Sequence, residues 1–388
     1  MTTEKKPKKK WRRIVGLIFS IVSIVVLAYV SISLIAGRTV SFSWFSNIFI
    51  PPAPIEIADS MQFDSGRQKV FADLGNAIAS AGTLGIQVLE HDGSEVLRDQ
   101  FRMYRPAISS VGSRAIAFDI GGSSVRVFDS ERVISSVETN GLVISASLNR
   151  NGWFSINTQE GTGQSGTVHV YNDDGVALFR VSLGSGYAFS SLISPDNRTL
   201  AVLNLSEVGS RITLYQGMNR QDYDHELVFP GKLIVHMHFL PNGDLLAVTP
   251  TSLIAVDRNG ASREFFEFQD KRLGGFLLEG NTIILHLLDY GVGHSGSLLR
   301  LDERGNVRAE MTTDREILSK SYRAGLLAVL YNDGAAFYDN SFNESTVYYG
   351  QPLAGVNRIL SLGDGLALGA GEHAAIAIRE DLGEQTND

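Results

Sequence analysis

The chain has 388 residues, 44% of them hydrophobic and 20% charged, with a formal net charge of −8 and no cysteine. This composition is typical of a globular protein with a sizeable core, and the 39 glycines indicate many tight turns. The lack of cysteine excludes disulfides, thiolate catalysis and cysteine-ligated zinc, and a large exported β domain of this kind fits a bacterial surface better than a eukaryotic secretory route.

The first segment, residues 1–13, is a basic tail. It carries seven Lys and Arg residues against Glu4 alone, a charge of +6; because the whole chain is −8 and residues 14–36 are uncharged, the part from Gly37 onward carries −14. An acidic domain repels phosphate backbones, and we therefore expect no nucleic-acid partner. The basic tail lies directly before an apolar segment, which indicates that it orients a membrane helix.

The second segment, residues 14–36, is predicted to be a transmembrane helix. At about 1.5 Å per residue it would be about 34 Å long, enough to span the hydrocarbon core of a bilayer. A cleavable signal peptide is the alternative, but its apolar region is usually about 7–15 residues and ends at a small-x-small site, which Leu34-Ile35-Ala36 does not provide. Since basic clusters stay cytoplasmic, we expect a single-pass protein of the cell membrane with residues 37–388 outside the cytoplasm.

Residues 37–54 are predicted to be a short linker. Trp44 and Phe45 suit a membrane interface, and Pro51-Pro52-Ala53-Pro54 ends any helix and forms a stiff, extended spacer. The following domain, residues 55–380, would therefore sit close to the membrane surface. Residues 381–388 are expected to be a disordered tail.

The large domain is predicted to be all-β, because runs of five to eight residues alternate between apolar and polar and are separated by Gly, Asn and Asp. One strand, in most copies followed by an acidic or amide residue and glycine, recurs eight times. The copies begin at residues 86, 125, 168, 212, 253, 298, 335 and 374. Their mean spacing of about 41 residues is the length of a four-stranded blade of a β-propeller.

Eight copies favour eight blades, although seven remain possible because the first and last copies are the least regular. One blade would comprise strands 187–194, 199–205, 211–216 and 225–229. The last copy leaves no room for a fourth strand, so we expect Ile55–Phe63 to supply it and to close the ring. A string of β-sandwich domains is the alternative, but it would need units of roughly 100 residues with linkers between them.

The basic tail, single helix, proline-bearing linker and strand-Asn-Asp-Gly repeats together resemble a family of uncharacterised membrane-anchored β-propeller proteins of Gram-positive bacteria. The resemblance covers nearly the whole chain and implies a WD40-like or quinoprotein-like propeller, but no activity. The hairpin Ser194-Pro195-Asp196-Asn197-Arg198 is also similar to turns in WD40-like and translocation-associated propellers.

No catalytic motif is apparent. There is no Gly-x-Ser-x-Gly elbow, and Gly161–Gly166 lacks the lysine of a phosphate-binding loop. A quinone-cofactor propeller would resemble repeats with a tryptophan in every blade, whereas residues 37–388 contain only Trp44 and Trp153. We therefore predict no enzyme activity, no cofactor and no catalytic residue.

Two histidines, His236 and His238, are two apart on the predicted strand Lys232–Leu240 and therefore point to the same face, opposite a core face that begins with Leu233. They could ligate a metal if His286 or His294 completed the site. Polar residues lining a wet channel are the other interpretation, and we predict no metal site.

The most suggestive surface consists of the loops before the recurring strand, which should all lie at one end of the propeller. These loops are Asp119–Ser124, Gln159–Gly166, Glu207–Ser210 and Asp289–Ser297. Loops at one face of a rigid scaffold commonly carry recognition. The candidate binding residues are Gln159, Glu160, Gln164, Asp289, Tyr290 and His294.

These features predict a membrane-anchored extracytoplasmic propeller that acts as a binding or scaffold domain for an envelope protein or a wall polymer. The alternative is a hydrolase of the lactonase or glycan-cleaving type, with carboxylates and possibly a metal at the propeller axis. A sensor that signals through the helix is a third possibility, although a 13-residue cytoplasmic tail can do little beyond contacting a protein or anionic lipid.

Overall fold

The computed structural model describes residues 60–160, 166–183, 187–219, 222–291, 293–349, 353, 355–363, 365–372 and 374–379. All of them fall in the unit Glu56–Asp388. The predicted tail, membrane helix and linker (residues 1–54), and the predicted C-terminal tail, lie outside the described residues. No helix in the described ranges has the length and hydropathy needed to cross a bilayer.

The described residues form eight antiparallel sheets of four strands, which are the blades of a β-propeller. Strand β1, Ser60–Gln62, belongs to blade 8. The strands of blades 1 to 4 are, in chain order, β2 Val70–Asp73, β3 Ala77–Gly82, β4 Gly85–Glu90, β5 Glu95–Gln100; β6 Pro106–Val111, β7 Arg114–Asp119, β8 Ser124–Phe128, β9 Val133–Glu138; β10 Leu142–Leu148, β11 Phe154–Gln159, β12 Gly166–Tyr171, β13 Ala177–Ser182; β14 Tyr187–Ile193, β15 Thr199–Ser206, β16 Gly209–Gln216 and β17 His225–Pro230. The strands of blades 5 to 8 are β18 His236–Phe239, β19 Leu245–Val248, β20 Ser252–Val256, β21 Ser262–Glu267; β22 Lys271–Glu279, β23 Thr282–Asp289, β24 Gly296–Leu301, β25 Val307–Thr313; β26 Ile317–Arg323, β27 Leu326–Tyr331, β28 Gly334–Tyr338, β29 Glu344–Tyr349; β30 Val356–Gly363, β31 Leu366–Gly371 and β32 Ala374–Arg379.

Eight blades are confirmed, and each copy of the recurring sequence is the third strand of its blade. The first strands of neighbouring blades contact one another, as β10 contacts β14 and β26 contacts β30, so the first strands surround the axis. The blade predicted at 187–229 has its four strands within two residues of the expected bounds, as β14 to β17. The alternating period of 2 therefore identified strands correctly.

The ring is closed from the N-terminal side, as predicted. Strand β1 pairs antiparallel with β32, with Ser60 opposite Ile376 and Gln62 opposite Ala374. Met61, between them, is only 1% exposed. Of the predicted closing segment Ile55–Phe63, the described part that pairs is Ser60–Gln62. Closure gives blade 8 its fourth strand, so all eight sheets of the ring have four strands.

The hydrophobic core lies between blades. Second strands are buried along almost their whole length, because each is covered by the blade on either side; β3, β19 and β27 have every residue buried. Between blades 4 and 5, for example, Leu203 and Ile212 pack with Met237 and Leu245 in one cluster. Each fully buried aliphatic side chain contributes about 1.5–3 kcal/mol relative to exposure, so repeated seams of this kind hold the ring together.

The acidic residue of the repeat has a structural role. In five blades an Asp or Asn follows the third strand directly and its side-chain oxygen accepts hydrogen bonds from two backbone N–H groups of the next turn; these residues are Asp129, Asn172, Asp257, Asp302 and Asp339. Glycine at the fourth position of three of these turns has φ near +80°, as at Gly175 and Gly260, a conformation that glycine adopts at little cost.

Candidate functional site

The two ends of the propeller are built from different connections. We call the end that carries the turns between first and second strands, and between third and fourth strands, the lower face. The opposite end, which carries the connections from second to third strands and from one blade to the next, is the upper face. The four loops predicted to share one end all join a second strand to a third strand, so that prediction is confirmed and they lie on the upper face. Residues 161–165 and 292 of these loops lie outside the described residues.

The structure holds Asp289 in a small polar cluster of blade 6. Its carboxylate lies 3.2 Å from Nζ of Lys271 and accepts a hydrogen bond from Ser295 Oγ at 3.1 Å. These two contacts, the one to Lys271 first, lower the pKa of Asp289. Lys271 also donates to Ser297 Oγ at 2.7 Å. Asp289 is therefore ionised and already oriented at neutral pH.

The other two predicted residues of this loop point elsewhere. Tyr290 is 63% exposed. His294 Nε2 lies 3.7 Å from a carboxylate oxygen of Glu316, which precedes the next blade. The loop thus offers an aromatic ring and a histidine–carboxylate pair, each with different neighbours, rather than three side chains converging on one point.

The predicted residues of blade 3 form a second, separate group. Glu160 accepts from Arg180 Nη2 at 2.9 Å and lies 3.2 Å from His169 Nε2. Burial lowers the pKa of His169, although Glu160 raises it in part. Gln159, at the end of β11, is half-buried, and Gln164 lies outside the described residues. Blades 3 and 6 are three apart around a ring of eight, and within the described ranges no hydrogen bond or ion pair joins the two groups.

Exposed apolar side chains, of which the sequence analysis singled out only Tyr290 as a binding candidate, are more numerous on the upper face. Eight large hydrophobic residues that are more than a third exposed lie there: Leu84, Tyr104, Ile120, Leu142, Val208, Leu233, Tyr290 and Leu318. On the lower face of the described residues five meet the same criterion: Val96, Leu178 and Val307 at the starts of outer strands, and Val176 and Tyr223 in turns. Leu233 was predicted to be core, which is wrong: strand β18 begins at His236, so Leu233 lies in the connection between blades and is 51% exposed.

The two histidines of blade 5 share a face, as predicted, and that face looks toward blade 6 at the axial channel. The ring of His236 lies 5.1 Å from that of Phe276, and His238 Nε2 contacts the Gly280 carbonyl at 3.1 Å. The side chain of His236 is reached by water but surrounded by the two blades, and burial together with His238 lowers its pKa to about 4. Both histidines are therefore neutral at pH 7.

The metal site that His286 or His294 would complete beside His236 and His238 does not form among the described residues. His286 lies on the second strand of blade 6, 5% exposed, with Nε2 buried and without a hydrogen-bond partner. His294 is on the upper face beside Glu316. In the described ranges no three His, Asp or Glu side chains converge on a point where a cation could bind.

The axial channel carries charges of opposite sign at different depths. In its middle, Nζ of Lys320 packs against Gly275, 2.6 Å from the place that a Cβ would take there. Lys320 makes no ion pair with any described residue, and burial lowers its pKa to about 8. At the lower end, Asp73 forms an ion pair with Arg323, and burial, then Asp73, raises the pKa of Glu279.

Comparison with known proteins agrees with this fold. The fold places the protein in the class of eight-bladed β-propellers. The chain belongs to a family of unknown function, DUF5711, whose model matches residues 53–341. No curated protein sequence matches it.

Similar solved structures include the quinohemoprotein alcohol dehydrogenase ADHIIG from Pseudomonas putida HK5, at 10% identity and a TM-score of 0.52, covering 84% of this chain and 76% of that one. A eukaryotic initiation factor aligns with 12% identity and a TM-score of 0.52, covering 84% of this chain and 85% of that one. At these identities the likeness concerns the fold alone.

Proposed function

We propose that this chain is a membrane-anchored extracytoplasmic propeller whose upper face binds another protein of the cell envelope. The observation that carries the proposal is the larger number of exposed apolar side chains on that face, eight against five on the lower face of the described residues, with Tyr104 and Tyr290 the most exposed of all. Exposed aromatic side chains such as Tyr104 and Tyr290 are the kind that protein interaction sites use.

Site-specific photocrosslinking tests the binding face. A benzoylphenylalanine at Leu233, 51% exposed on the upper face, is compared with one at Val176, 55% exposed on the lower face, in cells that express the full chain. We expect one envelope protein to be captured from position 233 and not from position 176. Equal capture from both positions, or none from position 233, would contradict the proposal.

Membrane attachment and orientation need a separate test. Because the chain has no native cysteine, a thiol reagent labels only the cysteine that is introduced. A single cysteine replaces Ser341, which is exposed, or Thr3 in the basic tail, and intact cells are treated with a membrane-impermeant maleimide. We expect labelling of Ser341→Cys in intact cells and of Thr3→Cys only after permeabilisation. The reverse pattern, or recovery of the protein in a salt-washed soluble fraction, would refute the anchored topology.

The alternative, a hydrolase with axial carboxylates, is favoured by one observation at the lower end of the channel. Glu279 and Asp73 end two inner strands there; Asp73 forms an ion pair with Arg323, and burial, then Asp73, raises the pKa of Glu279. Two neighbouring carboxyl groups in different environments are the arrangement that general acid–base hydrolysis uses. Turnover of a lactone or glycan by the purified protein, abolished in Glu279→Gln and retained in Glu310→Gln on an exposed outer strand, would support this function over the first.

A further inference from the structure

A polar cavity of about 340 Å³ opens at the upper mouth of the axial channel, where the inner strands of blades 7, 8 and 1 begin. Its lining residues come from the start of β26, the start of β30 and the residue before β2: Leu318, Ser319, Asn357, Arg358 and Lys69. The volume lies at the lower end of the range of small-molecule sites, about 300–1,000 Å³.

The lining offers hydrogen-bond donors and positive charge without a carboxylate. Arg358 is exposed and forms no ion pair or hydrogen bond with the described residues, so its guanidinium is available. Lys69 donates one hydrogen bond, to the Glu372 carbonyl at 2.7 Å, and keeps two N–H groups and its full charge. Ser319 Oγ accepts from the Ile359 N–H at 3.1 Å, which leaves its own hydroxyl proton free to donate.

Two cations around one cavity repel each other unless an anion lies between them. Because the domain as a whole is acidic, a site that concentrates positive charge without matching carboxylates is unusual and stands out from the paired arginines elsewhere. The positive potential also continues inward, since Lys320 and Arg272 lie on the inner strands of blades 7 and 6 and the inner-strand acids occur only at the lower end.

We propose that this cavity binds a phosphate group, through a bidentate contact to Arg358 supported by Lys69, the Asn357 amide and the Ser319 hydroxyl. Guanidinium matches the spacing of two phosphate oxygens, and an ammonium, an amide and a hydroxyl supply donors for the others. The group could belong to a free phosphorylated small molecule or to a phosphodiester of a polyanionic wall polymer, which share this chemistry.

The test measures binding of inorganic phosphate, glycerol phosphate and a polyol-phosphate polymer to the purified full-length protein by calorimetry. The variants are Arg358→Ala and Lys69→Ala. Arg304→Ala is the matched control, because Arg304 is exposed in a lower-face turn and its loss changes the net charge equally. Thermal unfolding verifies that each variant is folded, which is expected because Arg358 is at the surface.

We expect Arg358→Ala to weaken phosphate binding about tenfold or more, since one charge-assisted hydrogen-bonded contact of about 1.5–3 kcal/mol is lost, and Arg304→Ala to leave it unchanged. Tighter binding of the polymer than of glycerol phosphate would identify the polymer as the source of the group; the reverse order would identify a small molecule. No heat of binding with any probe, or equal weakening by Arg304→Ala, would overturn the proposal.

Discussion

The lower and upper faces of this propeller use the same kinds of residue for different purposes. On the lower face, aspartates and asparagines accept backbone N–H groups in one turn that recurs in five blades. On the upper face the connections differ from blade to blade, and acids such as Asp289 and Glu316 contact other side chains. A regular face shows where polar groups serve the fold, and an irregular one shows where they are available for a ligand.

The largest expected effect on stability comes from replacing Asn149, which links the lower-face turns of blades 3 and 4. Asn149 is 9% exposed; its Oδ1 accepts from the N–H groups of Asn151 and Trp153, and its Nδ2 donates to the Ser194 carbonyl and to Asn197 Oδ1. Asn149→Ala leaves these partners unsatisfied, and we expect a loss of about 3 kcal/mol in the free energy of unfolding. Urea denaturation followed by circular dichroism measures it.

The upper face supplies the control for that experiment. Asn357 is exposed there, and Asn357→Ala should change the free energy of unfolding by no more than about 0.5 kcal/mol. If both asparagine variants lost the same stability, the distinction between a structural and an available face would be wrong.

A smaller effect is expected from a single turn of the lower face. Asp302 accepts from the side-chain amide of Asn306 at 3.0 Å, from the N–H groups of Asn306 and Arg304, and pairs with Arg308 at 2.7 Å, contacts that lower its pKa. Asp302→Ala should cost about 1–2 kcal/mol, and Asp302→Asn less, because the amide oxygen still accepts.

The same urea titration with Asp270→Ala, on the upper face and exposed, provides the comparison for Asp302. We expect no measurable change. A greater loss in Asp302→Asn than in Asp302→Ala would contradict the role assigned to the backbone acceptor.

A third test concerns His286, which lies in the middle of β23, between the two faces. Burial lowers the pKa of His286 to about 4 from an ordinary value of 6.5. The folded state therefore favours the neutral ring, and this contribution to stability is complete above about pH 6.5 and decreases as the pH falls toward 4. His286→Gln should flatten the pH dependence of the urea midpoint in this window; parallel curves for the two proteins would show that His286 does not limit stability in acid.

The smallest effect on stability is expected from the exposed residues of the upper face. Leu233→Ser and Tyr290→Ser remove apolar surface that packs against little, so the free energy of unfolding should stay within about 0.5 kcal/mol. Capture of the envelope protein should nevertheless fall in both variants and not in Val176→Ser. A large loss of stability in either variant would mean that these side chains are part of the core.

Much of the fold could be predicted because the repeat combines two local signals. Alternating apolar residues mark the third strand, and an Asp or Asn with glycine marks the turn after it, so eight copies gave eight blades. The closing strand was also predictable, since the last copy lacks a fourth strand. The start of β18 was not predictable, because the alternation of apolar residues continues through Leu233 into a connection that is not part of the strand.

The candidate site was less predictable, for a physical reason. Loop positions follow from the order of strands, and the upper-face loops were identified, but Glu160 and Asp289 proved to belong to separate groups. The cavity joins Lys69, Ser319 and Arg358, which are far apart in sequence and meet only because three inner strands surround one axis. The one local hint was Gly274-Gly275, whose missing side chains make room for Lys320 and His286.

The pairing of β1 with β32 also sets the order in which the molecule can fold. Gln62 is among the first residues of the domain to be synthesised, whereas its partner Ala374 is among the last. The seven blades between them can form from consecutive hairpins, but the ring remains open until β32, the last strand of the domain, has left the ribosome. Such a long-range contact is entropically slow to make, so the open ring is the stage at which the nascent protein is most exposed to proteases and to pairing with another chain.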